Sequence, residues 1–239
     1  YYQIDDYITC PLKYKYVNIL RVPIMEHHTV IYGRAMHEAV TRYFQFKMAG
    51  REMQLAELLA VFASSFDPQG FLDQYHQEER SKVGKDALVQ FFHAEKERNS
   101  QPKFIEKEFS FIFEGNKIAG RFDRVDQTEQ GDIIIDFKTS EVKVQEVADK
   151  KAKESLQLAL YALAYQQMTG NLPLRAELFF LESGIIGSSI ISEAGLDKIK
   201  ERICEVSSGI RSQNFQATPA YMACTYCAYS QICPSAKVR

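Results

Sequence analysis

The 239-residue chain predicts an α/β protein in which helices flank a sheet. Residues 103–138 hold three strand-like runs separated by polar turns. Residues 32–48 and 154–168 repeat apolar side chains at helical spacing, and two more strand-like runs follow at 175–181 and 184–192. An apolar content of 46% is ordinary and suffices for one large domain or two small ones.

The chain opens with QIDDYITCPLKYKYVNILRVP, where Asp5 or Asp6 can cap a short helix and Pro11 can start a helical turn after Cys10. Tyr7, Tyr14 and Tyr16 beside Lys13, Lys15 and Arg21 suit a phosphate backbone with stacked bases, or equally a helix packed through its tyrosines. Between Tyr32 and Met48 the apolar positions are Ala35, Met36, Ala39, Val40, Tyr43 and Phe44, with Gly33 at the helix start and His37 one turn in. His27 and His28 are expected to be solvated in a polar loop. Residues 50–99 read as a helical insertion: a helix near 52–66, a break at Pro68-Gln69-Gly70, then further helix with a charged, solvated face over 73–85.

Lys103 to Phe113 alternates as a strand, and Glu114-Gly115-Asn116-Lys117 reads as a tight turn. Arg121–Val125 and Ile133–Phe137 then form an antiparallel hairpin around a polar turn at Gly131 and Asp132. Glu106 and Glu108 share a face of the first strand, either as acidic neighbours of a site or as solvated residues. Residues 142–153 form a lysine-rich connection with Lys143, Lys150, Lys151 and Lys153, able to hold phosphates or simply a mobile polar loop. The helix at 154–168 turns Leu156, Leu160, Leu163 and Ala164 inward, places Gln157 and Tyr161 one turn apart, and is stopped by Gly170 and Pro173. A last helix spans 196–210, where Cys204 is expected as a buried small apolar residue.

Composition excludes some classes. No apolar run is long enough to span a bilayer, so a membrane protein is not expected. A net charge of −2 argues against a general basic coat for nucleic acid, though not against a basic channel. The chain begins Tyr-Tyr-Gln without Met or a signal-peptide pattern, which reads as a piece of a longer cytoplasmic polypeptide. Five cysteines, three of them crowded at one end, do not resemble a disulfide framework and suit a metal site in a reducing compartment. Cys224, Cys227 and Cys233 follow a C-x2-C-x5-C spacing, and Cys10 is the remaining candidate for a fourth thiolate. By chemistry alone, zinc and a [4Fe–4S] cluster are both acceptable.

The chemistry concentrates in GRFDRVDQTEQGDIIIDFKTS, residues 120–140. Period-two geometry puts Asp136 and Lys138 on one face, at the end of a strand whose Ile133-Ile134-Ile135 run implies burial on both sides. A charge buried without compensation is costly, and a divalent cation with a phosphate would supply it. A lone Asp-x-Lys also reads as an ordinary strand-end ion pair. The hairpin brings Asp123 to the same point, however, and His37 stands in a helix with no structural need of it.

Together these residues resemble the PD-(D/E)xK nucleases, in particular the RecB/AddB-like exonuclease branch. The pattern G-x-x-x-H is met by Gly33 to His37, G-x-x-D-R-x-D by Gly120 to Asp126, the apolar run ending D-x-K by Ile133 to Lys138, and Q-x-x-x-Y by Gln157 to Tyr161. The segment from Tyr7 through Cys10 and Pro11 is similar to the cysteine-bearing lead-in of that branch. The resemblance implies a restriction-endonuclease-like core of mixed β-sheet flanked by helices, one nuclease domain over residues 1–239, with the helical insertion and a four-cysteine cluster joining the two ends. It also implies a metal-dependent DNA nuclease of repair and recombination, acting on single-stranded or duplex ends as the C-terminal part of a UvrD-type helicase. The rival readings are a stand-alone CRISPR-adaptation-type nuclease, a catalytically silent DNA-binding module and a purely structural zinc protein.

By the same resemblance, Asp123, Asp136, His37 and the Phe137 backbone carbonyl would hold Mg²⁺ or Mn²⁺. Lys138 would orient the attacking water or stabilise the developing charge, and Gln157 and Tyr161 would support the lysine and the nearby DNA strand. DNA contacts are expected at Lys13, Arg121, Lys143 and Tyr161. The arrangement of Cys10, Cys224, Cys227 and Cys233 resembles the iron–sulfur staple of AddB-type domains, which implies [4Fe–4S] rather than zinc.

Overall fold

The computed structural model describes residues 1–68, 70–71, 73–98 and 100–237. Gln69, in the expected break, and Asn99, the expected end of the insertion, lie outside the described residues. A five-stranded mixed sheet runs in the order β1 (Pro102–Phe113), β2 (Asn116–Thr128), β3 (Gly131–Lys138), β4 (Arg175–Phe180) and β5 (Ile185–Ser189). β2 pairs antiparallel with β3, β3 parallel with β4, and β4 antiparallel with β5. The parallel step needs a crossover, supplied by α6 (Gln145–Glu154) and α7 (Leu156–Thr169).

The consecutive isoleucines of β3 serve two cores. Ile133 and Ile135 pack with Phe137 among side chains of α3 (His28–Met48), α4 (Leu55–Ser65) and α5 (Gln74–Arg98). Ile134 faces Phe122, Leu158, Tyr161 and Ala164 on the other side. An alternating strand has one apolar face; this one is covered on both, so Ile133 to Ile135 run apolar without alternation. α7 is likewise buried around its whole circumference from Gln157 to Tyr165. The Ser155 hydroxyl caps it by accepting from the Leu158 N–H at 3.2 Å, and Gly170 stops it at φ 81°.

Several expectations are corrected. Residues 145–154 form the helix α6 instead of a loop, with Ala148 and Ala152 as its buried stripe. The β2–β3 turn lies at Glu129-Gln130, and Asp132 is a buried strand residue that accepts from Lys103 Nζ and the Tyr165 hydroxyl. α3 begins at His28, not in a loop, so Gly33 lies inside the helix. There a Cβ would come within 3.3 Å of Thr139 Oγ1, so glycine lets the helix approach the end of β3.

The chain divides into two compact units, residues 26–111 with 119–196, and residues 1–25 with 112–118 and 197–239. The larger holds most of the sheet and α3 to α7. The smaller gathers α1 (Tyr2–Thr9), α2 (Pro11–Tyr14), the β1–β2 turn, most of α8 (Glu193–Arg211) and α9 (Tyr221–Thr225). Within it Tyr7 donates to the Asn214 carbonyl at 2.7 Å, Tyr14 stacks on Phe215, and Arg211 reaches Asn116 Oδ1 at 2.6 Å. Cys204, expected buried, is exposed on α8. No helix among the described residues is long and apolar enough to cross a membrane.

Candidate active site

β3 ends where a buried and a partly buried carboxylate, one ammonium and one imidazole meet. Hairpin pairing of β2 with β3 brings Asp123 beside Phe137, whose N–H donates to Asp123 Oδ2 at 3.0 Å. α3 delivers His37 to the same peptide: Nε2 lies 2.9 Å from the Phe137 carbonyl and Nδ1 lies 3.6 Å from Asp123 Oδ2. The carbonyl is an acceptor only, so the imidazole proton belongs on Nε2 and the Nδ1 lone pair faces Asp123. Burial pulls the imidazole down against the attraction of Asp136, which favours the neutral, ligand-competent form.

Asp136 is 2% exposed. Its Oδ2 pairs with Lys138 Nζ at 2.8 Å. Its Oδ1 accepts from Gln157 Nε2 at 2.7 Å, while Gln157 Oε1 accepts from Lys138 Nζ at 2.7 Å. One amide on α7 therefore grips both charged members of the D-x-K pair, and a flipped amide would set NH₂ against the ammonium. Gln157 Nε2 also donates to the Tyr161 hydroxyl at 3.0 Å. Tyr161 is 6% exposed, its ring held between Phe109 and Phe122, so it braces Gln157 from within the core.

Burial pushes the Asp123 carboxyl up to about 8, with repulsion from Asp136 adding to it and the Phe137 N–H opposing it. Burial likewise raises Asp136, against the pull of Lys138 and His37. Two acids thus share a single ammonium, Lys138, 2.8 Å from Asp136 Oδ2. Among the described residues no three or more His, Cys, Asp or Glu side chains form a ready-made metal-binding set. The donors at this point are two carboxylates, a carbonyl and an imidazole lone pair, chemistry that fits a hard divalent cation.

Behind the hairpin Arg124 is 1% exposed, paired with Asp126 through Nε at 2.5 Å and through Nη2, and it stands 3.7 Å from Glu95 and over the Phe44 ring. The D-R-x-D pattern places Arg124 and Asp126 two apart on one strand, but nothing local pointed to Glu95 on α5. Gly120 of the same motif leaves room for Phe109, whose Cζ would sit 2.5 Å from an added Cβ. Glu106 joins the electrostatics of both Asp123 and His37, whereas Glu108 is exposed.

The remaining candidates are not members of this cluster. Arg121 pairs with Glu106 at 2.6 Å and is 59% exposed, and exposed Lys143 pairs with Glu141 at 2.9 Å. Cys10, Cys224, Cys227 and Cys233 line one cavity of the smaller unit together with Lys13, which pairs with Asp6 at 2.9 Å. Burial raises the Cys10 thiol, but hydrogen bonds from the backbone of Thr218, Lys13 and Leu12 outweigh it, and the net shift is downward. That donor chemistry suits a thiophilic metal, although the four thiols are not drawn into a ligating set.

No curated protein matches the chain. Among solved structures, a presumed exonuclease from Eubacterium rectale superposes at a TM-score of 0.52, with 11% identity over 90% of this chain and 82% of that one, a likeness of fold. The crystal structure of SSO0001, 18% identical over 94% of this chain and 95% of that chain, superposes at only 0.37 and bears no argument. The family model described as the PD-(D/E)XK nuclease superfamily matches residues 1–234, and the chain belongs to that superfamily.

Proposed function

We propose that the chain is a metal-dependent deoxyribonuclease, an exonuclease working on single-stranded DNA ends in repair and recombination as the nuclease part of a helicase–nuclease. In this reading residues 1–239 act as one cytoplasmic nuclease domain. The observation that supports it is the meeting of His37, Asp123, Asp136, the Phe137 carbonyl and Lys138 at the end of one buried strand.

The two carboxylates, the carbonyl and the imidazole are the residues that would hold Mg²⁺ or Mn²⁺, and the imidazole leans towards Mn²⁺. When bound there, such an ion supplies a Lewis acid to the phosphoryl oxygens and lowers the pKa of its water. Gln157 fixes the Lys138 ammonium through Oε1 and steadies Asp136 through Nε2. Lys138 then offers a fixed positive charge where negative charge develops, without reorganising during the reaction. Neutral His37 keeps its lone pair towards Asp123, and the Phe137 N–H holds that carboxylate in place. Arg121, Lys143 and Lys13 are the cations assigned to the DNA backbone, with Tyr161 supporting the strand through Gln157.

A [4Fe–4S] cluster held by Cys10, Cys224, Cys227 and Cys233 would serve as a structural staple, stabilising only the folded state. Anaerobically purified protein should be brown, and Cys224→Ser should be colourless. A colourless, zinc-containing wild type would exclude the cluster without touching the nuclease assignment.

The nuclease assignment is tested by digesting end-labelled single-stranded oligonucleotides in Mn²⁺ and in EDTA. Cleavage should require the metal and fall by at least about a hundredfold in Asp136→Ala while the circular dichroism spectrum stays that of the wild type. Cleavage retained by that variant would remove Asp136 from the site, and a wild type that binds DNA without cutting it would identify a silent module.

A further inference from the structure

Glu106 carries a left-handed backbone, φ 52°, in the middle of β1. Among the described residues the other non-glycine positions with positive φ, Arg21, Glu114 and Gln213, lie outside strands and helices. A non-glycine side chain in this conformation is strained, and it persists inside a strand only where its surroundings hold it. Here both carboxylate oxygens are engaged, Oε1 by the Thr41 hydroxyl at 3.3 Å and Oε2 by Arg121 Nε at 2.6 Å. The strained residue also breaks the alternation of β1, so Glu106 is partly buried beside the site while Lys107 and Glu108 are exposed.

Arg121 lies two residues before Asp123 on β2 and thus on the same side of that strand by period-two geometry. Its contact with Glu106 is made through Nε, and the side chain remains 59% exposed. A guanidinium anchored at Nε keeps its Nη edge for a planar, paired contact with a phosphate. The need for such an anchor is physical. Asp123, Asp136 and Glu106 repel a polyanion, and a freely rotating arginine would lose side-chain entropy on every binding event.

We propose that Glu106 is a positioning residue: from its strained, left-handed backbone it holds the Arg121 guanidinium at the rim of the site for the backbone phosphate next to the scissile one. The proposal rests on the nuclease reading and names the DNA-orienting device of that same site. Thr41 fixes the second carboxylate oxygen and so sets the plane in which Arg121 is presented.

The test combines Glu106→Ala, Glu106→Gln, Arg121→Ala and the double variant Glu106→Ala/Arg121→Ala. Affinity for a fluorescent single-stranded oligonucleotide is measured by anisotropy in Ca²⁺, and digestion kinetics in Mn²⁺. Each alanine variant should weaken binding about tenfold, with the double variant no weaker than Arg121→Ala, and the loss should fall on KM rather than kcat. Glu106→Gln should recover most of it, because its amide oxygen can still accept from Arg121. The Mn²⁺ concentration for half-maximal rate should not move.

Additive losses, or wild-type affinity in Glu106→Ala, would overturn the proposal. So would a fall in kcat with a raised Mn²⁺ requirement, which would make Glu106 a metal ligand. If alanine does not fold at φ 52°, Glu106→Gly, which accepts that conformation, replaces it in the cycle. A wild type that neither binds nor cuts DNA would instead defeat the nuclease reading.

Discussion

Asp123→Asn should make the metal-free protein more stable, by an amount that grows with pH. Burial and the neighbouring Asp136 push the Asp123 carboxyl up to about 8. Between its ordinary and its native value, an acid raised in this way takes up a proton on folding. Its stabilising contribution is complete below the ordinary carboxylate range and is lost as pH rises through the native value. The slope reaches at most about 1.4 kcal/mol per pH unit. From about pH 5 to about pH 7 the wild type should therefore lose about 2 to 3 kcal/mol relative to the asparagine variant. For a chain of this length that corresponds to roughly 5–10 °C in melting midpoint. Asparagine keeps an oxygen for the Phe137 N–H, so the backbone bond at 3.0 Å is not at issue. The assay is thermal unfolding in EDTA across this range, with Mn²⁺ added at the upper end, where the wild type should gain stability and the variant should not. Two midpoint curves that stay parallel across pH would refute the reasoning, because Asp123 would then carry its charge as an ordinary carboxylate.

Lys138→Ala should lower cleavage by about a hundredfold or more while Mn²⁺ still binds, since the ammonium is asked to act on developing charge; metal titration and digestion separate the two effects. Gln157→Ala leaves Asp136 Oδ1 without its donor and should cost about tenfold or more in kcat, read from digestion at saturating substrate. Arg124→Met leaves Asp126 buried without its cation, while Glu95 keeps Arg98 and Ser100, and should destabilise the protein by about 3–5 kcal/mol, measured by denaturant unfolding. Gly120→Ala drives a Cβ against Phe109 Cζ, 2.5 Å away, and should cost about 1–3 kcal/mol by the same measurement.

The part of the site most legible in the sequence is the part whose pattern is local. Three successive isoleucines demanded two covered faces, and the charged Asp-Phe-Lys end followed directly, as the cores on either side of β3 show. Gln157 and Tyr161, one turn apart, were legible for the same reason. α6 escaped because its buried stripe is only Ala148 and Ala152, too faint a period among so many charges. Cys204 falls beside the buried line of Ile199, Ile203 and Val206, one residue off the covered face.

Long-range pairings were the least legible. Glu95 meets Arg124 from a helix far away in sequence, and no local spacing predicts that contact. Glu106 was seen only as one of two acids on a strand, because a left-handed residue inside a strand breaks the alternation on which the reading depends. That placed Glu106 and Glu108 on one face, whereas only Glu106 reaches the neighbourhood of Asp123 and His37.

In the proposed reading His37, Asp123, Asp136 and the Phe137 carbonyl would form a single hard-ion site beside Lys138. Mn²⁺ titration of the purified chain by isothermal calorimetry tests it most directly, with Asp123→Ala, Asp136→Ala and Lys138→Ala alongside the wild type. One ion per chain should bind to the wild type and to Lys138→Ala and be lost from both aspartate variants; equal Mn²⁺ binding by all four proteins would show that the two carboxylates hold no ion.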